Sequence, residues 1–145
     1  MSKSNTHEND YLKLIFNNTT MALVGDATGI VGSTGAGSLY FSLHTADPGE
    51  AGDQTTNEVA YTSYARVAVA RTTGGFTVST NTVALVANVG FPAGTGGSGT
   101  ATHWGIGASS SGAGKLLYKG AISPSIVCGN GVTPSLTAGT VVTED

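Results

Sequence analysis

Carboxylates are missing from most of this sequence: between Glu58 and Glu144 there is no aspartate or glutamate. Asp and Glu are the usual general acids, general bases and hard-metal ligands, so their absence removes most hydrolytic and metal-assisted chemistry from that tract. Charge of either sign is scarce. Charged residues make up 10% of the chain, against about 25% in ordinary soluble domains, and the formal net charge is -3. Without clustered Lys and Arg the sequence is a poor match for nucleic acid, and its near-neutral surface offers little repulsion between copies. Cys128 is the single cysteine, which excludes an internal disulfide and a cysteine zinc site. Within Ile126-Val127-Cys128 it reads as a small buried apolar residue. No apolar run approaches the ~20 residues of a membrane-spanning helix. Met1 to Asp10 is polar and acidic where a secretory signal needs a basic and then an apolar stretch, so the expectation is synthesis in the cytoplasm without a recognisable export signal. The two sequons in Asn17-Asn18-Thr19-Thr20 then carry no expectation of glycosylation.

What is present is Gly, Ser, Thr, Ala and Val in short alternating runs, with Leu, Ile, Phe, Tyr and Trp at strand spacing. Residues 1–9 read as a polar N-terminal arm, and residues 10–145 as one β-sandwich domain. Asn9 or Asp10 is placed to cap a helix over 10–17, the only one expected, with Tyr11, Leu12, Ile15 and Phe16 on one apolar face. Met21-Ala22-Leu23-Val24 suggests a strand, and Gly25 to Gly37 a glycine-rich loop.

Strand signals then follow quickly. Leu39, Phe41 and Leu43 alternate with Tyr40, Ser42 and His44, as in a half-buried strand, and Ala46-Asp47-Pro48-Gly49 forms a turn into an acidic loop ending at Glu58. Tyr64 to Arg71 alternates again. Phe76-Thr77-Val78 and Thr82 to Val86 are joined by Ser79-Thr80-Asn81, and Thr102, Trp104 and Ile106 share one face. Gly112-Ala113-Gly114 leads into Lys115 to Lys119, Asn130-Gly131 suggests a hairpin between Ile126-Val127-Cys128 and Val132-Thr133, and Thr140-Val141-Val142 is a last strand. The expected fold is all-β, a jelly-roll-like antiparallel β-sandwich with one short N-terminal helix.

Candidate chemistry is thin. Gly107 to Leu116 resembles a phosphate-binding loop only superficially, because Ser109 replaces its first glycine, Leu116 replaces its Ser or Thr, and no helix follows. His44 and His103 could pair with Asp47 or a serine, but serines are too common here for such a set to be informative. Asp47, Glu50, Asp53 and Glu58 lack the register of a calcium loop and read as a solvated acidic segment. Trp104 reads as core rather than as part of a sugar platform with Tyr61, Tyr64 and Tyr118. Arg66 and Arg71 fall on opposite faces of one strand, so one is expected to meet solvent or a neighbouring subunit. No catalytic residue, cofactor or metal site is expected.

Leu43-His44-Thr45-Ala46-Asp47-Pro48-Gly49-Glu50, with Glu58-Val59, Tyr64-Ala65-Arg66-Val67, Phe91-Pro92, His103-Trp104-Gly105-Ile106, Gly114-Lys115-Leu116-Leu117-Tyr118 and Gly120-Ala121, resembles a family of small tailed-bacteriophage virion proteins. Members are often labelled tail fibre protein, and some resemble jelly-roll head decoration, or cement, proteins. The resemblance covers roughly Leu39 to Asp145, with the helix Asp10 to Phe16 also similar, and implies a structural, non-enzymatic role on the virion. A chain of 145 residues without repeats or heptads is expected to form a knob rather than a shaft, which favours a cement protein on the outer surface of the capsid, bridging capsomers. The expected partners are the major capsid protein and the chain itself, as a dimer or trimer across a local symmetry axis; nucleic acid and membrane are not expected. The candidate contacts are Lys3 in the arm and the helix face Tyr11, Leu12, Ile15 and Phe16. A tail fibre or tail-tip protein for host attachment is the alternative.

Overall fold

The helix begins earlier than its apolar residues suggest. In the computed structural model, which describes residues 2–139 and 141–144, helix α1 spans Asn5–Asn17. Its N-cap is Ser4, in extended conformation, whose hydroxyl accepts from the His7 amide. Much of the expected arm is therefore helix: a serine cap at Ser4 satisfies the first turn before the apolar stripe begins. Met1, Thr140 and Asp145, on which the readings of the arm, the last strand and the end of the sandwich domain partly fell, lie outside the described residues.

Nine strands follow among the described residues: β1 (Ser38–His44), β2 (Val67–Ala70), β3 (Phe76–Ser79), β4 (Thr82–Leu85), β5 (Val89–Gly90), β6 (Ser98–Gly107), β7 (Leu116–Gly129), β8 (Ser135–Leu136) and β9 (Val141–Thr143). The class is all-β, with antiparallel sheets, as the alternation predicts. The chain forms two compact units, each assembled from separate segments.

The first unit comprises the residues up to Ser38, Ala70–Asn88, and those from Thr137 onward. It holds α1 and the three-stranded sheet β3-β4-β9. The expected turn at Ser79-Thr80-Asn81 joins β3 to β4, tightened to Thr80-Asn81 because Ser79 pairs with Thr82 as the last residue of β3, and Phe76 lies opposite Leu85. Leu12 and Phe16 are fully buried, and the Phe16 and Phe76 rings meet edge to face at 5.0 Å. Two asparagines on the helix fix its position along the sheet: Asn9 donates to the Thr80 carbonyl and Asn17 to that of Phe76.

The second unit comprises Leu39–Val69 and Val89–Leu136. Its main sheet runs β2-β1-β6-β7, and β5 pairs separately with β8. Strand β1 is buried on both faces at its end, Ser42 and His44 included, rather than half-buried. The reason is the segment after it, which folds back so that Val59 donates to the Leu43 carbonyl and Thr45 to that of Asn57. Trp104 is core, lying over Gly120, its cross-strand partner, where a side chain would collide with the indole. The hairpin expected at Asn130-Gly131 does not form. Ile126, Val127 and Cys128 instead complete β7 against β6, while Gly131 and Val132 exchange backbone hydrogen bonds with Gly94.

Candidate interaction surface

The polar side chains of the second unit converge on two internal clusters. In one, Ser42 Oγ lies 2.8 Å from His44 Nε2 and His44 Nδ1 lies 2.8 Å from the Thr56 carbonyl. A carbonyl only accepts, so Nδ1 carries the proton and Nε2 accepts from the serine. Burial holds the imidazole pKa below its ordinary value, which favours this neutral form. The Ser–His pairing has the connectivity of a nucleophile and its base, yet both side chains are fully buried, and a Cβ on Gly105 would press against both. It is an internal fitting that holds the Asp53–Glu58 segment to β1.

In the other cluster Arg66 makes a two-pronged ion pair with Glu58, Nε to Oε1 at 2.7 Å and Nη2 to Oε2 at 2.8 Å. It also donates to the carbonyls of Ser109 and Gly112, so one guanidinium ties the β6–β7 connection to the acidic segment. Tyr64 adds a third contact to Glu58 through its hydroxyl at 2.8 Å, and burial pushes its pKa up. The Arg66 side chain is only 3% exposed. Gln54, likewise buried, is accommodated because Gly107 and Gly114 have no side chains there, and it accepts from the Ser109 amide. The loop that superficially resembled a phosphate site is thus a hairpin connection filled by Gln54 and clamped by Arg66.

The other acids of the Asp47–Glu58 segment are also engaged. Asp47 and Glu50 both pair with Lys119, at 2.9 and 3.2 Å, and Asp53 caps the turn at Thr55 and Thr56. Beside Lys119, a groove of about 230 Å³ between Gly49–Gly52 and Leu116–Lys119 is smaller than the roughly 300–1,000 Å³ of ordinary ligand sites. Tyr61 meets Tyr64 edge to face and Tyr64 stacks on Phe91 inside the unit instead of forming an exposed platform, and the Tyr61 hydroxyl donates to the Pro92 carbonyl.

The helix face proposed from sequence is largely taken up by the chain itself. Leu12 and Phe16 are core, Tyr11 and Ile15 are half-buried, and Lys3 pairs with Glu144 at 2.6 Å. Arg71 does not meet solvent freely either. Its guanidinium caps the end of α1 through the Leu14 and Ile15 carbonyls at 2.7 and 2.6 Å, and reaches the Ala36 carbonyl and the Ser33 hydroxyl. Both arginines therefore organise their own chain, because loops supply carbonyl acceptors that strand alternation cannot reveal.

Sequence reasoning missed the largest exposed apolar feature, the loop that follows α1. Leu23, Val24, Ile30 and Val31 are 81%, 42%, 46% and 61% exposed. The expected strand at Met21–Val24 reduces to one bridge, with Met21 and Ile30 exchanging hydrogen bonds of 3.0 and 2.9 Å. Asn18, left-handed at φ 53°, closes the base by donating to the Ser33 carbonyl and accepting from the Ser33 amide. At the tip, Asp26 Oδ1 accepts from the amides of Thr28 and Gly29, and Gly29 stands so close to the Met21 carbonyl that no side chain fits. The signal in the sequence was four aliphatic residues among Gly25, Gly29 and Gly32 without strand alternation.

A family model described as "Podophage GP4 fiber I protein gp80" matches residues 2–144. The chain belongs to this family. The GP4 fiber I family is one of tailed-phage virion proteins, so this chain is a structural protein of the virion, as the resemblance in its sequence implied. The match also takes in α1 and the apolar loop, which lie outside the segment Leu39 to Asp145 that carried most of that resemblance. A search of the curated proteins found no match to the chain.

Proposed function

We propose that this chain is a non-catalytic subunit of the phage fibre apparatus, acting by stoichiometric binding to neighbouring virion proteins. The observation that carries this reading is the fibre-family match across residues 2–144. The polar clusters around His44 and Arg66 support it, since they face inward and stabilise loops. In this reading the sheets are a rigid frame and the loops make the contacts.

A capsid decoration role is the second reading, with the major capsid protein as partner, copies meeting across a local symmetry axis, and capsomers bridged from outside. The low charge content favours it, because broad shell contacts are mostly uncharged. Immunogold labelling and cryo-EM of purified virions separate the two. Label on the tail appendages is the expected result; label restricted to the shell would replace the fibre reading with decoration.

A further inference from the structure

Four of the six most exposed large aliphatic side chains among the described residues lie within Leu23–Val31. An exposed apolar loop without internal order would be unremarkable, but this one is held at its base by Asn18 and Ser33, across its middle by Met21 and Ile30, and at its tip by Asp26. Leu23 is the most exposed of its four large aliphatic residues and has φ 62°, a backbone region that costs a bulky side chain energy. Among the described residues, no packing contact offsets both the strain and the solvent exposure at Leu23. They are accounted for if the side chain is received elsewhere.

The chemistry of the loop restricts what receives it. Residues 14–65 contain no Lys or Arg, and residues 19–33 no aromatic side chain, so the loop lacks the basic and aromatic anchors of a lipid-surface segment. Its only formal charge is Asp26, whose Oδ1 shapes the turn while Oδ2 has no partner among the described residues. We infer that Leu23–Val31 is a preformed knob that docks into an apolar cleft of another virion protein, with a Lys or Arg at the cleft rim meeting Asp26. Because the loop is ordered beforehand, little conformational freedom is lost on docking.

This inference rests on the stoichiometric binding role proposed above, and phage carrying altered chains test the two separately. Full-length chain with Leu23→Asp and Val31→Asp is expected to fold normally, judged by an unchanged melting curve, yet its copy number in purified particles should fall at least about tenfold. Leu23→Met and the exposed Thr73→Asp should leave copy number unchanged. Asp26→Asn preserves the turn and should lower incorporation less, in a salt-dependent way; no effect would overturn the basic rim. Wild-type copy number in the Leu23→Asp/Val31→Asp particles would overturn the docking knob, whereas absence of the wild-type chain from particles would instead overturn the stoichiometric binding role. Sedimentation showing that the same double variant abolishes self-association, or flotation showing that it abolishes binding to phosphatidylcholine vesicles, would assign the loop to a second copy or to lipid and overturn the inference.

Discussion

Replacing Arg66 by Met tests whether the second unit depends on its internal ion pair. The guanidinium makes four hydrogen bonds, two to Glu58 and one each to the Ser109 and Gly112 carbonyls, at 2.7–3.0 Å. Methionine keeps most of the apolar stem but leaves the Glu58 carboxylate with only the Tyr64 hydroxyl, and two carbonyls without their donor. Breaking a fully buried pair from one side costs about 3–5 kcal/mol, and this part-buried pair should cost about 2–4 kcal/mol, a large share of the roughly 5–15 kcal/mol that stabilises an ordinary domain. At about 2–4 °C per kcal/mol, the melting temperature should fall by roughly 4–16 °C. Urea unfolding followed by tryptophan fluorescence is the assay, because the only tryptophan, Trp104, is buried in this unit. The double variant Glu58→Met/Arg66→Met removes the stranded charge, so its loss should be smaller than the sum of the two single losses by about 2 kcal/mol. A single-variant loss below about 1 kcal/mol, or strict additivity, would refute the role assigned to the pair.

Stability should decline as pH falls below about 6.5, the ordinary histidine value, because the unfolded chain takes up a proton that buried His44 resists; urea midpoints across pH 5–8 should show this slope, and His44→Gln should flatten it. Gly120→Ala should drive a methyl group into the Trp104 indole and cost about 1–3 kcal/mol, visible as a shifted tryptophan emission in the folded protein; unchanged emission and stability would contradict the packing. Phe16→Ala should destabilise the first unit by about 3–5 kcal/mol, read by hydrogen exchange in β3 and β4, whereas a residue reserved for a partner would leave exchange unaltered.

The strands were legible where local alternation and burial coincide. Phe76 to Leu85 was predictable as a hairpin because Thr80-Asn81 is a polar turn between two alternating runs. Trp104 was predictable as core from its spacing to Ile106, but that Gly120 makes room for its ring depends on the register of β6 against β7. Asn130-Gly131 misled because a favourable turn dipeptide does not choose its partners: β7 runs on against β6, and the residues beyond it pair with Gly94 instead. The helix face shows a related limit. Leu12 and Phe16 form an apolar stripe whether it meets a partner or the chain's own sheet, and the sheet lies about 60 residues further along the chain.

The period-two alternation determined from sequence alone that this is an all-β chain, while the lack of carboxylates between Glu58 and Glu144 and the low charge set only an expectation about its chemistry. Those properties are local or compositional, and they need no knowledge of what lies next to what. Only the tertiary structure decided that Ser42 and His44 are sealed, that both Arg66 and Arg71 hold loops of their own chain, and that Leu23 to Val31 stand out in solvent. Each of these depends on backbone carbonyls and apolar surfaces brought together from distant positions. Burial and hydrogen-bond satisfaction are properties of that assembly, and no spacing along the chain encodes them.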